Sequence, residues 1–356
     1  MLKGDLFMTK FTGYIGTYTK KSSKGIYSFV LDTDAKKITD VSLAAEIENP
    51  TYLTITNDNQ HLFAVGKEGS TGGVSAYSIS ADGSLSLINR EYSEGASPCH
   101  VSVDADKTIV LSANYHKGTA ESYSLNTADG SLNRVASIIE HTGTGPNTAR
   151  QEKPHMHFAG FTPNDQYAVS VDLGTDRVDT YKLVDNKLEE VSSLSVKPGS
   201  GPRHIAFHPN GKFAYVMTEL SNEVIALSFN SETGAFEELQ YISTLPIDFT
   251  ENSQGSAIHL SSDGNFVYAG NRGHNSISIF QVNSETGQLT FIERTSTEGN
   301  WPRDFVLDPT EQFLLASNEQ SDTLTLFERD SVTGKLTLLQ SEIEAPEPVC
   351  VKFLNN

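Results

Sequence analysis

The chain has 356 residues, with 26 Lys and Arg against 45 Asp and Glu, a net charge of −19. So acidic a chain excludes non-specific binding to nucleic acid or anionic membrane, which needs a basic surface, and no apolar run approaches the ~20 residues that span a bilayer. Its two cysteines, Cys99 and Cys350, exclude a disulfide framework and fit a reducing cytoplasm.

The opening MLKGDLFMTKFTGYIGTYT has neither an apolar h-region nor a cleavage site, so it does not read as a signal peptide. Residues 1–10 read as a flexible extension, with Met8 a second candidate start. Between Tyr14 and Val41 the runs YIGTYTK, GIYSFVLD and KKITDV alternate with turn residues and read as three strands. A longer unit then begins at Pro50 and returns at Pro98, Met156, Pro202, Gly255 and Pro302, at spacings of 46 to 58 residues. That period belongs to propellers and arrays. A seventh start, PVCVKFLNN from Pro348, runs into the C-terminus.

Each unit reads as four short strands. In the fourth they are HIAFHP, FAYVMTE, EVIALSFN and FEELQYI, with the period-two pattern and β-branched or aromatic enrichment that strands require. Turns such as PNG, SDG, ADG and ETG supply the positive-φ positions of tight hairpins. No dozen residues sustain helical spacing. The expected fold is all-β, one seven-bladed β-propeller domain over 1–356 in which each blade has four antiparallel strands. Counted from Pro50, the seventh blade takes one strand from the C-terminus and three from the N-terminus, so the ring closes without an exposed edge.

Strand direction alternates within a blade, so the loop into each first strand and the loop between second and third strands share one face. Long, chemically rich segments fall there: EHTGTGPNTARQEK, LPIDFTENSQ, ANYHKG, ELSNE and NRGHNS. The aligned position at the start of each first strand reads Thr51, Cys99, His157, Arg203, Ser256, Arg303 and Val349. A purely structural position would repeat one residue type. Glu219 and Arg272 end the second strands of blades four and five on the same face.

His157, Arg203, Glu219 and Arg272 are therefore expected to converge at the mouth, with Arg303 nearby. Arginines gathered in so acidic a chain point to an anionic ligand, because guanidinium forks grip carboxylate or phosphate. The bland alternatives are surface ion pairs for Arg203, Arg272 and Glu219, and a backbone-bonded histidine for His157. His155, His204 and Asn271 are expected, with Arg303, to bind substrate, although the two histidines look more like supporting hydrogen-bonders. Arg150 and Lys153 read as solvated charges on the long loop. Cys99 reads as packed near the mouth. PHMH is the one metal-like pattern, but Phe158, Ala159 and Gly160 follow it where a zinc site needs further ligands. Neither a metal nor a cofactor is expected.

GTGPNTARQEKPHMH, VDLGTDRVDTYKL, GPRHIAFHPNGKFAYVMTEL and YAGNRGHNSISIF resemble the seven-bladed propeller lactonase family, over essentially the whole chain. Its best-known members are 6-phosphogluconolactonases, and a fungal carboxy-muconate cyclase is a distant relative. The resemblance implies hydrolysis of 6-phospho-D-glucono-1,5-lactone in the pentose phosphate pathway. It places the family's functional His on His157, its two arginines on Arg203 and Arg272, and its carboxylate on Glu219. On this reading Glu219 is the base, His157 orients water or protonates the leaving ring oxygen, one arginine meets the oxyanion, and the other holds phosphate with Arg303. A cyclase or a lactonase for another sugar acid would use the same residues. A non-catalytic scaffold propeller is the contrasting reading, though scaffold propellers of the WD type repeat a Trp-Asp pair and this chain has the single Trp301. The expected partner is a small anionic sugar lactone, with no nucleic acid or membrane, and the default state is a cytoplasmic monomer.

Overall fold

Twenty-eight strands, numbered β1 to β28 in chain order, make seven four-stranded antiparallel sheets in the computed structural model, which describes residues 9–355. The described residues contain no helix, and thus none long and apolar enough to cross a membrane. Six blades run in chain order, each from an inner strand outward. The inner strands are β4 (Leu53–Ile55), β8 (His100–Val103), β12 (Met156–Phe161), β16 (Pro202–Phe207), β20 (Gln254–Leu260) and β24 (Pro302–Leu307).

The seventh blade is composite: β28 (Pro348–Phe353) is its inner strand, followed by β1 (Lys10–Thr17), β2 (Gly25–Asp32) and β3 (Lys37–Glu46). β28 pairs with β1 from Gly13↔Phe353 to Thr17↔Pro348, and neighbouring inner strands touch all round the ring. The expected closure is therefore present. Residues 1–8 of the expected extension lie outside the described residues, and Lys10 already belongs to β1, opposite Asp32. One expected strand is shorter than its sequence run. YIGTYTK leaves the sheet at Thr17 after an irregularity at Gly16 and Thr17, so Tyr18, Thr19 and Lys20 form a loop at the mouth.

Apolar clusters lie between adjacent blades. One joins Phe29, Leu31 and Phe353 of the closing blade to Phe313, Leu315 and Leu326 of the sixth. A recurring tyrosine adds a polar tie across the same boundaries. Tyr14, Tyr167, Tyr215 and Tyr268 donate to backbone carbonyls in the next blade's outer turn, at Gly83 (2.7 Å), Glu232 (2.8 Å), Gly287 (3.0 Å) and Gly334 (2.8 Å). Gly334 shows why the turn residue is glycine. Its φ is 72°, and a Cβ would run into the Phe266 ring. Replacing the fully buried Tyr215 with Phe strands the Gly287 carbonyl, so Tyr215→Phe is expected to lower unfolding free energy by about 1 to 2 kcal/mol. Exposed Ile247→Ala is expected to stay within about 0.5 kcal/mol; denaturant titration of both checks the difference.

Candidate active site

Residues at or near the start of six inner strands and at the end of four second strands stand at one mouth of the ring, where they line a cavity of about 370 Å3. Thr51, Cys99, His157, Arg203, Arg303 and Val349 come from the first set, and Tyr18, Tyr115, Glu219 and Arg272 from the second. Ser256 departs from its set, using its carbonyl to accept from Arg203 Nη1 at 2.7 Å. Five Lys and Arg side chains face two carboxylates, Glu219 and Asp304, in a chain whose net charge is −19.

Glu219 is the centre of this arrangement. Its backbone is clamped between blades, with N–H donating to Gly201 O at 2.7 Å and C=O accepting from Gly255 N–H at 3.1 Å. Gly255 replaces the proline found in most units because a Cβ there would strike the Thr218 carbonyl. The carboxylate is 3% exposed. Arg272 Nη2 donates to Oε2 at 2.6 Å, Arg203 Nε lies 3.2 Å from the same oxygen, and Arg150 Nη2 donates to Oε1. Burial pushes the Glu219 carboxyl up, but the Arg272, Arg203 and Arg150 charges outweigh it and hold the group well below the usual carboxylate range. In the other direction, burial lowers Arg272 to about 9, which leaves it charged at neutral pH. Among the described residues, its buried Nε has no hydrogen-bond acceptor.

His157 Nε2 stands 3.9 Å from Glu219 Oε2, and its Nδ1 is 3.8 Å from Cys99 Sγ. Burial and then the Arg203 charge lower its pKa well below 6.5, so it is a neutral imidazole at neutral pH. Burial pushes the Cys99 thiol up to about 12, so it is a packed thiol, as its sequence context suggested. Below them Tyr52 lies 4.3 Å from the His100 ring, and His204 stands edge-on to both His157 (5.3 Å) and His100 (5.4 Å). Tyr52 also lines the cavity beneath, so this aromatic stack forms the floor.

The four residues expected to converge do so, and Arg303 and His204 line the same cavity. His155 and Asn271 do not. The His155 ring stacks on Tyr115 at 4.1 Å, with Nδ1 2.9 Å from the Tyr115 carbonyl and Nε2 3.1 Å from Glu152, so it positions Tyr115 from behind. Asn271 is fully buried and its amide is spent on Thr244, Ser276 and Ser278. Arg150 corrects the sequence reading in the opposite sense, since the supposed solvated charge reaches Glu219 and the Tyr115 hydroxyl (3.4 Å). Lys153, by contrast, donates to the exposed His116 carbonyl at 2.6 Å. Tyr18 and Tyr115 were also missed, although both occupy the register that yields Glu219 and Arg272. No group of three or more His, Cys, Asp or Glu residues among the described residues is placed to hold a metal ion.

Fold and mouth together define a seven-bladed propeller with a cationic mouth. The family described as "Lactonase, 7-bladed beta-propeller" matches residues 12–353, and the chain belongs to that family. It is 57% identical to a 6-phosphogluconolactonase of Bacillus subtilis strain 168 over 349 residues, 98% of this chain and 99% of the relative. Among solved structures, a Lactobacillus plantarum protein superposes with a TM-score of 0.93 at 42% identity, covering 97% of this chain and 99% of that one. The Pseudomonas aeruginosa periplasmic gluconolactonase superposes at 0.90 with 31% identity, covering 97% and 99%.

Three guanidiniums around one carboxylate also tie stability to charge. Glu219 has a folded pKa below its unfolded value, so its contribution is full above about pH 4.5 and is lost as pH falls toward the folded pKa. Glu219→Gln leaves the guanidiniums without their counter-charge and is expected to cost about 3 kcal/mol at pH 7. The loss should shrink below pH 4, which denaturant titrations at the two pH values test.

Proposed function

We propose that this chain hydrolyses 6-phospho-D-glucono-1,5-lactone to 6-phosphogluconate with its own side chains. The observation that carries the reading is the excess of cations in a mouth cut into an acidic protein, a match for a phosphorylated lactone. The relative named 6-phosphogluconolactonase at 57% identity supports that choice of substrate. A gluconolactonase shares the fold at 31% identity, so unphosphorylated gluconolactone is the second substrate to compare.

Hydrolysis needs a proton acceptor for the attacking water and positive charge for the oxyanion. Three guanidiniums occupy both carboxylate oxygens of Glu219, which turns it away from an attacking water. The neutral His157 beside it is the better acceptor, with Glu219 stabilising the imidazolium that forms. This reverses the assignment suggested by sequence. Water loses a proton to His157 as its oxygen adds to C1, and the carbonyl oxygen becomes an oxyanion near Arg272. Collapse breaks the bond from C1 to the ring oxygen, which takes the proton from His157 and becomes a hydroxyl. The new carboxylic acid then ionises, releasing one proton to solvent.

The decisive assay is pH-stat hydrolysis of freshly made phosphorylated lactone, corrected for spontaneous opening, beside unphosphorylated lactone. Acceleration favouring the phosphorylated form is expected; acceleration of neither would sink the reading. His157→Gln should lose about 10²-fold or more in kcat, and near wild-type kcat would remove His157 from proton transfer. Since the base acts neutral and its pKa is depressed, kcat/KM should stay level as pH falls through 6.5 and drop only further into acid. A midpoint at 6.5 or above would contradict that environment.

A further inference from the structure

Arg150, Arg203 and Arg272 are all committed to Glu219. Two cations of the cavity are not, and they share one wall. Lys20 Nζ stands 3.6 Å from the centroid of the Tyr18 ring, and Arg303 Cζ stands 5.1 Å from it. All three residues line the cavity. Among the described residues, no carboxylate pairs with Lys20. The buried Arg303 Nε lacks a hydrogen-bond acceptor, its nearest carboxylate being Glu319 Oε2 at 4.0 Å. A guanidinium donor left unpaired inside a protein is costly unless a ligand completes it.

The loop that carries Tyr18 and Lys20 is held in place. Glu347, fully buried, accepts from the Lys20 N–H at 3.0 Å through Oε1 and from the Lys21 N–H at 2.8 Å through Oε2. Thr19 and Asn49 exchange two further bonds, each 3.1 Å. The Tyr18 ring attracts both cations through its π face, but it carries no charge that neutralises either. A phosphate dianion bound in the cavity beside them would supply that counter-charge and accept from their free donors.

We propose that Lys20, Tyr18 and Arg303 form the phosphate subsite, and that this wall, rather than the Glu219 centre, selects phosphorylated over unphosphorylated sugar lactones. The inference rests on the lactonase reading, and it separates the two jobs of the mouth. Arg203 and Arg272 serve the reacting carbonyl, while Lys20 and Arg303 hold the far end of the substrate. It also assigns substrate choice to the closing blade and its neighbour.

The test pairs calorimetric binding of 6-phosphogluconate and gluconate with kinetics on the two lactones, for wild type, Arg303→Gln, Lys20→Gln and Arg150→Gln. Wild type should bind 6-phosphogluconate at least about tenfold more tightly than gluconate, the scale of one charge-assisted contact. Arg303→Gln and Lys20→Gln should each remove most of that preference. Their KM for the phosphorylated lactone should rise about tenfold with kcat within about twofold, so the specificity ratio falls through KM. An unchanged preference in both variants would overturn the subsite. So would a preference lost only in Arg150→Gln, which would move the phosphate to the long loop. If wild type accelerates neither lactone, the lactonase reading fails separately, and the binding arm alone then decides the subsite by the same criterion.

Discussion

Pairing of the last strand with the first is the constraint on which the rest of the molecule depends. Without the β28 and β1 ladder the seventh blade would present an open edge and the ring would lack a fixed circumference. With it, each inner strand is wedged between two neighbours and its starting residue is held at a set angle around the axis. The tyrosine bonds from blade to blade act in the same sense, since each gives a buried hydroxyl a partner only when adjacent blades are in register. Closure also brings chain start and chain end to the mouth, so that Glu347, near the end, holds the loop of Lys20, near the start.

The mouth so framed is an electrostatic compromise. Gathering guanidiniums in a buried space is unfavourable for Arg203 and Arg272, as their lowered pKa values express. One carboxylate, Glu219, makes the group tolerable without neutralising it. The cavity keeps an excess of positive charge inside an otherwise acidic chain. The same burial that strains the cations keeps His157 neutral. Burial thus sets both the charge of the mouth and the neutral state of His157.

How much of this was legible depends on how each residue reaches the site. His157, Arg203, Glu219 and Arg272 sit at fixed offsets within the repeat, and a strand's period of two converts such an offset into a direction in space. Alignment of the units therefore sufficed to gather them. Tyr115 and Tyr18 obey the same register and were readable on that basis, but a tyrosine among polar loops carries no charge to draw the eye. Asn271 shows the limit of the rule, because the residue one step before Arg272 points to the opposite face, into the bonds of Thr244 and Ser278.

By itself, then, the sequence determined the all-β class, the seven blades, the shared closing blade and the four central residues of the mouth, because repetition and alternation are local patterns. Only the tertiary structure decided that Arg150 folds back onto Glu219, that His155 stands behind Tyr115, and that Lys20 and Arg303 both stand beside the Tyr18 ring. Those contacts join loops from separate blades. Their geometry is set by the closure of the whole ring, and no local pattern of residues encodes it.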